Sequence, residues 1–364
     1  MVATGRNGSN GECRRLKWAV SLGVALFTVL CACALLKIYS LKSSSAAFKR
    51  YDSRDAAMSP NARMHVVEKD SEASYCSQRL KAEENAQAKI TERSNWFEAQ
   101  LVHEREYFRT SALDSFVAGF LFSPYYPCPF TLEKSISVKE HFDGGKWFCG
   151  LAELGLASGS ASNSSKCRAY SFGSNYDITF EHQIDARLNG DACEIHIYDP
   201  TMGSSRFGHS LSKLSDFVRD LPPNYVFHEL GISAPGKESI TIEDETFTSV
   251  SLVAALQANG HSETGIDFLK FDVEGSEYDI LETAEWDRLK IGLILFEVHA
   301  GIIQRLRSES YTLLKFHEHL MRLETAGYRL YSVEPVCSGC IGQFEVSMMH
   351  KDWHPIHKFR NMCK

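Results

Sequence analysis

Residues 268–299, FLKFDVEGSEYDILETAEWDRLKIGLILFEVH, read as strand, sharp turn, helix and second strand. The apolar run of Phe268, Leu269, Phe271 and Val273 breaks into a carboxylate-rich turn, Asp272-Val273-Glu274-Gly275. Ser276 is placed to cap a helix, with Asp279 three residues on as a variant capping box. Ile280, Leu281 and Ala284 recur at helical spacing. Ile291 to Phe296 is continuously apolar, the pattern of a strand buried on both faces of a parallel sheet, and it runs out in Glu297 and His299. Open α/β sheets place their ligands at the carboxyl ends of the strands. Two adjacent strands delivering acids and a histidine there mark a candidate site.

The same logic repeats upstream. Arg168 to Phe172 reads as a strand ending at Gly173-Ser174-Asn175, a helix follows from Ile178 to Leu188, and Glu194 to Tyr198 is a strand ending at Asp199-Pro200. A glycine there lets backbone approach a ligand, and an acid after the second strand can accept both hydroxyls of a ribose. With one glycine only, this is not the G-x-G-x-x-G dinucleotide fingerprint. Tyr225 to Leu230 reads as a third strand, Thr248 to Gln257 as a helix closed by Asn259-Gly260, and Ser310 to Ala326 as an amphipathic helix stopped by Gly327. Tyr328 to Val333 and Phe344 to Met349 form a closing hairpin around Cys337 and Cys340. No second Cys/His pair at zinc spacing accompanies those two cysteines, which favours disulfides or loop thiols over a metal site. Asp143-Gly144-Gly145, before Lys146, reads as a structural turn.

An apolar share of 44%, a charged share of 23% and a net charge of −7 describe a globular chain and give no support to a nucleic-acid partner. One segment departs from that average. Residues 18–36 carry no charge, and 19 residues at 1.5 Å each cover roughly the ~30 Å core of a bilayer. They are expected to be a signal-anchor between a cytosolic tail (1–17) and a stem with a helical segment (37–115). The alternative is a cleaved signal peptide and a secreted product. In the helical stretch Leu80, Ile90, Phe97 and Leu101 are too sparse for a strong core face, so it reads as a spacer. Of 11 cysteines, Cys13, Cys31 and Cys33 lie before or within the apolar segment, which leaves eight beyond it. An even number suits disulfides in an oxidising lumen, as does the sequon at Asn163. The expected topology is single-pass type II, with residues 116–364 facing the ER or Golgi lumen.

The stretch FLKFDVEGSEYDIL resembles the FkbM-type O-methyltransferase signature, a strand ending in Lys-apolar-Asp-apolar-Glu-Gly-x-Glu. With DGGKWFC, YSFG, CEIHIYDP and LFEVH it is similar to an animal membrane-anchored or secreted group of methyltransferase-like proteins, over roughly residues 120–350. The resemblance implies a class I, Rossmann-like α/β fold with a mostly parallel sheet and a C-terminal antiparallel hairpin, preceded here by the anchor and helical stem. It implies S-adenosylmethionine as cofactor, with Ser171, Phe172, Gly173 and Asn175 at the methionine part, Asp199 at the ribose and Ile232 beside the adenine. Ser171 replaces the acid that usually opens the first turn, and Glu181 is a candidate substitute.

On this reading Asp272, Glu274 and His299 are the catalytic candidates, with His299 or Asp272 as general base toward an alcohol acceptor. Asp272, Glu274 and Glu297 are hard oxygen ligands that a Mg²⁺ ion would suit. The lumen favours a glycan or small-molecule acceptor. Two alternatives stand beside it: a luminal type II glycosyltransferase, and a methyltransferase fold that binds without turnover.

Overall fold

The computed structural model describes residues 69–103, 122–135, 145–158, 166–188, 192–242, 244–262, 264–300, 312–336, 342–359 and 363. The apolar segment 18–36, the stem up to residue 68, the Asn163 sequon, Cys337 and Cys340 lie outside the described residues. Among those described, no helix is long and apolar enough to cross a membrane. All of them belong to the unit Val67–Lys364.

A long helix, α1 (Lys69–His103), leads. The ribbon β1 (Leu132–Lys134) and β2 (Trp147–Cys149) follows, then α2 (Leu151–Ser158). Next come β3 (Cys167–Phe172), α3 (Thr179–Arg187), β4 (Cys193–Tyr198), α4 (Leu211–Asp220) and β5 (Tyr225–His228). A small sheet of β6 (Gly231–Ile232), β7 (Ser239–Ile242) and β8 (Glu245–Val250) precedes α5 (Leu252–Ala258). The chain closes with β9 (Ile266–Phe271), α6 (Glu277–Thr283), β10 (Ile291–His299), α7 (Leu313–Thr325), β11 (Tyr328–Pro335) and β12 (Gln343–His350).

The central sheet has seven strands in the order β11-β12-β10-β9-β3-β4-β5. β5, β4, β3, β9 and β10 run parallel, and β12 runs antiparallel to both of its neighbours. The winding reverses between β3 and β9, so their carboxyl ends lie side by side at a topological switch point. Side chains alternate across the sheet. Leu269, Phe271, Ile294 and Phe296 pack with α5, α6 and α7, while Phe268, Leu293 and Leu295 pack with α2 and α3. β9 and β10 are buried along their whole length; the apolar run of β10 requires it, and in β9 the buried Asp267 is paired with Lys358 and Trp353 while Lys270 donates to Gly173 O.

Three local expectations change. Thr248 to Val250 is strand, not helix: ETFTSV alternates in burial and pairs antiparallel with β7, and the helix starts only after Ser251, whose side chain accepts from Ala254 N. Ser276 makes no side-chain cap bond to α6; the Glu277 carboxylate instead accepts from Val273 N at 3.1 Å and Gly275 N at 2.7 Å. The helix read as a sparse spacer packs on the sheet unit through Ala82, Ala86, Ile90 and Phe97, while Leu80 is exposed. Two of those four are alanines, which hydrophobic counting undervalues. Arg93 pairs with Glu324, Arg329 Nε donates to both oxygens of Glu83 at 3.0 and 2.9 Å, and Phe97 stacks on His317 at 4.1 Å. Disulfides join Cys76 to Cys363, Cys128 to Cys149 and Cys167 to Cys193.

Candidate active site

Two strand ends and one ribbon build the site. On the β3 side, Gly173 sits at φ 81°, and a Cβ there would lie 1.8 Å from the Asp272 carbonyl oxygen, so the turn tolerates only glycine. Asp272 N donates to Phe172 O at 3.0 Å, and the Lys270 ammonium donates to Gly173 O. The turn after β3 therefore backs directly onto Asp272 at the end of β9. Asn175 and Tyr176 continue it at φ 45° and 63°.

Asp199 ends up in a different role from the one expected. Its Oδ2 accepts from Ser174 N at 3.0 Å and Asn175 N at 2.7 Å, and its Oδ1 accepts from Thr201 N at 2.9 Å and Thr201 Oγ at 2.7 Å. In this structure all four of these contacts hold the glycine turn and the loop after β4. Asp199 shapes the glycine turn. Phe172 is buried and stacks on Tyr198 at 4.6 Å, and Ile232 is buried in the same core cluster.

Ser171 lies in β3 itself, on the face that Ala169 and Cys167 turn toward α3. Its Oγ is buried without a hydrogen-bond partner among the described residues. So are both carboxylate oxygens of Glu181 on α3, a residue with no exposure at all. A buried carboxylate without a partner is costly, and an ammonium group is the natural complement.

The β9–β10 side collects charge. Lys146, fully buried at the start of β2, donates to Glu345 at 2.5 Å and lies 3.6 Å from Asp272 and 4.0 Å from Glu297. Glu297 faces Glu345 across the β10–β12 register. His299 Nδ1 lies 2.7 Å from Glu277, and its Nε2 lies 3.2 Å from Glu297 and 3.7 Å from both Asp272 and Glu274. Burial alone would lower the His299 pKa, but Glu277 and Glu297 hold the imidazolium and carry it up to about 12. Burial pushes Glu345 up to about 8 against the pull of Lys146. For Asp272, burial is outweighed by Lys146, Lys270 and His299, and its carboxyl is held below the usual range. Desolvation on the side that faces the cluster, with the neighbouring acids, raises Glu274 against the pull of His299.

These values redistribute the expected roles. His299 is a cation with both ring nitrogens engaged, so it accepts no proton at neutral pH, and Asp272 is a weakened base. Glu274 combines a raised pKa with a side chain 62% exposed, on a backbone at φ 49°. The metal expectation also fails its test of fit. The expected ligands are Asp272, Glu274 and Glu297; the donor atoms that lie within 4.8 Å of one another are those of Asp272, Glu297 and His299. The Lys146 ammonium, 3.6 Å from Asp272 and 4.0 Å from Glu297, already supplies positive charge among these acids, so the oxygen set does not suit Mg²⁺.

Sequence reasoning gave no site role to Lys146 or Glu277, although each lies in a motif that carries the resemblance, DGGKWFC and the closing Glu of Glu-Gly-x-Glu. Besides that motif, the signal for Lys146 was its place beside a strand-like, aromatic run that the apolar pattern would bury.

A family model described as a methyltransferase domain matches residues 85–341. No curated protein matches the chain. Among solved structures, the fibrillarin pre-rRNA processing protein of Methanococcus jannaschii is similar at 12% identity and a TM-score of 0.33, covering 60% of this chain and 88% of that one. The methyltransferase FkbM from Methylobacillus flagellatus is similar at 14% identity and a TM-score of 0.35, covering 54% of this chain and 47% of that one. Fibrillarin from Aeropyrum pernix, solved with natively bound S-adenosylmethionine, is similar at 12% identity and a TM-score of 0.29, covering 60% of this chain and 88% of that one.

Proposed function

We propose, from the premise that this chain belongs to the S-adenosylmethionine-dependent methyltransferase family matched over residues 85–341, that it O-methylates a glycan or small hydroxyl acceptor in the secretory pathway, as an FkbM-type enzyme. The observation that carries the reading is the shared wall between Gly173 and Asp272: the turn that would hold the cofactor and the acid cluster that would meet the acceptor are one construction.

The cofactor supplies a methyl group on a sulfonium for in-line displacement by the acceptor oxygen. The chain's own residues do the rest. The Gly173–Asn175 turn, held by Asp199 and Lys270, presents backbone to the methionine part, and Glu181 offers its unpartnered carboxylate to the amino group, the part the missing acid at Ser171 would have played. Asp272, held ionised by Lys146, Lys270 and His299, provides fixed negative charge at the strand end. Glu274, exposed and with a raised pKa, takes the acceptor's proton as the new carbon–oxygen bond forms. Alignment of the two reactants supplies much of the acceleration.

The compartment rests on the apolar segment 18–36 and on the three disulfides, which persist in oxidising surroundings. On that basis the protein is a single-pass type II membrane protein facing the ER or Golgi lumen, with the membrane as its partner through the anchor. The glycosyltransferase alternative rested on the tail, anchor and stem layout and on Asp272-Val273-Glu274 taken as a metal-binding Asp-x-Asp, and family membership leaves it without support.

The test is transfer of labelled methyl from S-adenosylmethionine to a luminal glycan extract by the full chain, with Asp272→Ala as control. Label in glycan that the control loses is the expected result. Calorimetric silence toward S-adenosylmethionine would reduce the protein to a binding module of the same fold.

A further inference from the structure

At the opposite, amino-terminal part of β4 a second cluster stands apart from the acid cluster. Glu194 and His196 are two residues apart on β4 and so point to the same face of the sheet. His261 arrives from another direction. Gly260, at φ 71°, closes the end of α5, and His261 N donates to Leu256 O at 2.8 Å, which turns the imidazole back over β4. His196 Nε2 lies 3.1 Å from Glu194 Oε1, and His261 Nε2 lies 3.7 Å from Glu194 Oε2. All three donor atoms fall within 4.8 Å of one another. From Glu194 to Asp199 is five residues of strand, about 16 Å, so this cluster is separate from the cofactor turn.

We propose that Glu194, His196 and His261 bind one zinc-class divalent ion, with water in the fourth position. Tetrahedral zinc with nitrogen and oxygen ligands at about 2.0–2.2 Å sets those ligands about 3.3–3.5 Å apart; His196 Nε2 at 3.1 Å from one Glu194 oxygen and His261 Nε2 at 3.7 Å from the other lie close to that spacing. Each imidazole is held from behind through Nδ1, and the ion would take the place of the proton on Nε2. His261 Nδ1 is 2.8 Å from the Tyr170 hydroxyl, and His196 Nδ1 is 3.0 Å from His228 Nε2, so each imidazole has a partner behind it and turns Nε2 toward Glu194. His196 and His261 are buried while the Glu194 side chain keeps 29% exposure, which gives the ion a route in and leaves room for water. Arg168, opposite Glu194 in the β3–β4 register, opposes the ion. Two imidazoles and one carboxylate suit zinc over magnesium. The ion would fasten the end of α5 onto β4.

The test is calorimetric titration of the metal-stripped full-length protein with Zn²⁺, and separately with Mg²⁺, followed by thermal melts. One zinc equivalent with a raised melting temperature, and no uptake of Mg²⁺ at this cluster, is expected. His261→Gln and the less buried Glu194→Gln should each weaken zinc by more than tenfold, and Tyr170→Phe, which removes only the hydroxyl behind His261, by about tenfold. Circular dichroism of each variant confirms that it folds, and Glu194→Gln carries the test if His261→Gln does not. Asp272→Asn should keep the zinc. No zinc uptake by the wild type, uptake retained in both ligand variants, or uptake lost in Asp272→Asn instead would overturn the assignment.

Discussion

Lys146 shows how a single side chain can set the chemistry of a whole cluster. It is fully buried among Glu345, Asp272 and Glu297, and removing one member of a buried ion cluster leaves the others uncompensated. Lys146→Met should therefore cost about 3–5 kcal/mol of stability in urea unfolding, and Glu345→Gln in the same chain should recover part of it. Glu274 makes a different prediction. If it takes the acceptor's proton, Glu274→Gln should lower kcat by about 10²–10⁴ while calorimetry shows unchanged affinity for S-adenosylmethionine. The rate should rise with pH through a value above the usual carboxylate range in the parent, and that limb should disappear in the variant. The acids at 272, 274, 297 and the histidine at 299 were legible because strand ends in an open sheet announce themselves in the apolar pattern. Their protonation was not, because it depends on Lys146 and Glu277. The first comes from a ribbon more than a hundred residues upstream, and the second needs the turn geometry to be seen.

At the level of elements, the parallel sheet and its closing hairpin follow from uninterrupted apolar runs and turn residues, and they fold as read. The small sheet of β6, β7 and β8 was hidden, since its short, half-exposed strands carry threonines and acids rather than an apolar run. Helix α1 was underrated for a related reason: its contact face holds alanines, and its attachment relies on Arg93 and Glu83 paired with residues of α7 and β11. Phe97, buried and stacked on His317, is the apolar anchor of that contact. Phe97→Ala should cost about 3–5 kcal/mol, read as a lowered urea midpoint, whereas Leu80→Ala on the exposed side should change it by less than about 0.5 kcal/mol.

For the molecule as a whole, opposing sets of histidines define a range of pH. Burial, chiefly, lowers His319, His350 and His354 to about 4, below the 6.5 of an unfolded chain. Their contribution to stability is present above about 6.5 and is lost as pH falls toward 4. His299 runs the other way: raised to about 12, it contributes fully below 6.5 and loses that contribution as pH climbs. Thermal melts should peak near neutral pH and drop by about 5 °C or more between pH 7.5 and pH 5. A flat profile over that interval would mean the buried imidazoles are hydrated. Helix α1 adds a consequence in time. It is the first described element to leave the ribosome, yet Phe97 waits for His317, Glu83 for Arg329 and Cys76 for Cys363. At about 5–20 residues per second, its helix face stays without its native neighbours for tens of seconds during synthesis. A chaperone or oxidoreductase that holds this nascent segment would thus govern the yield of finished protein.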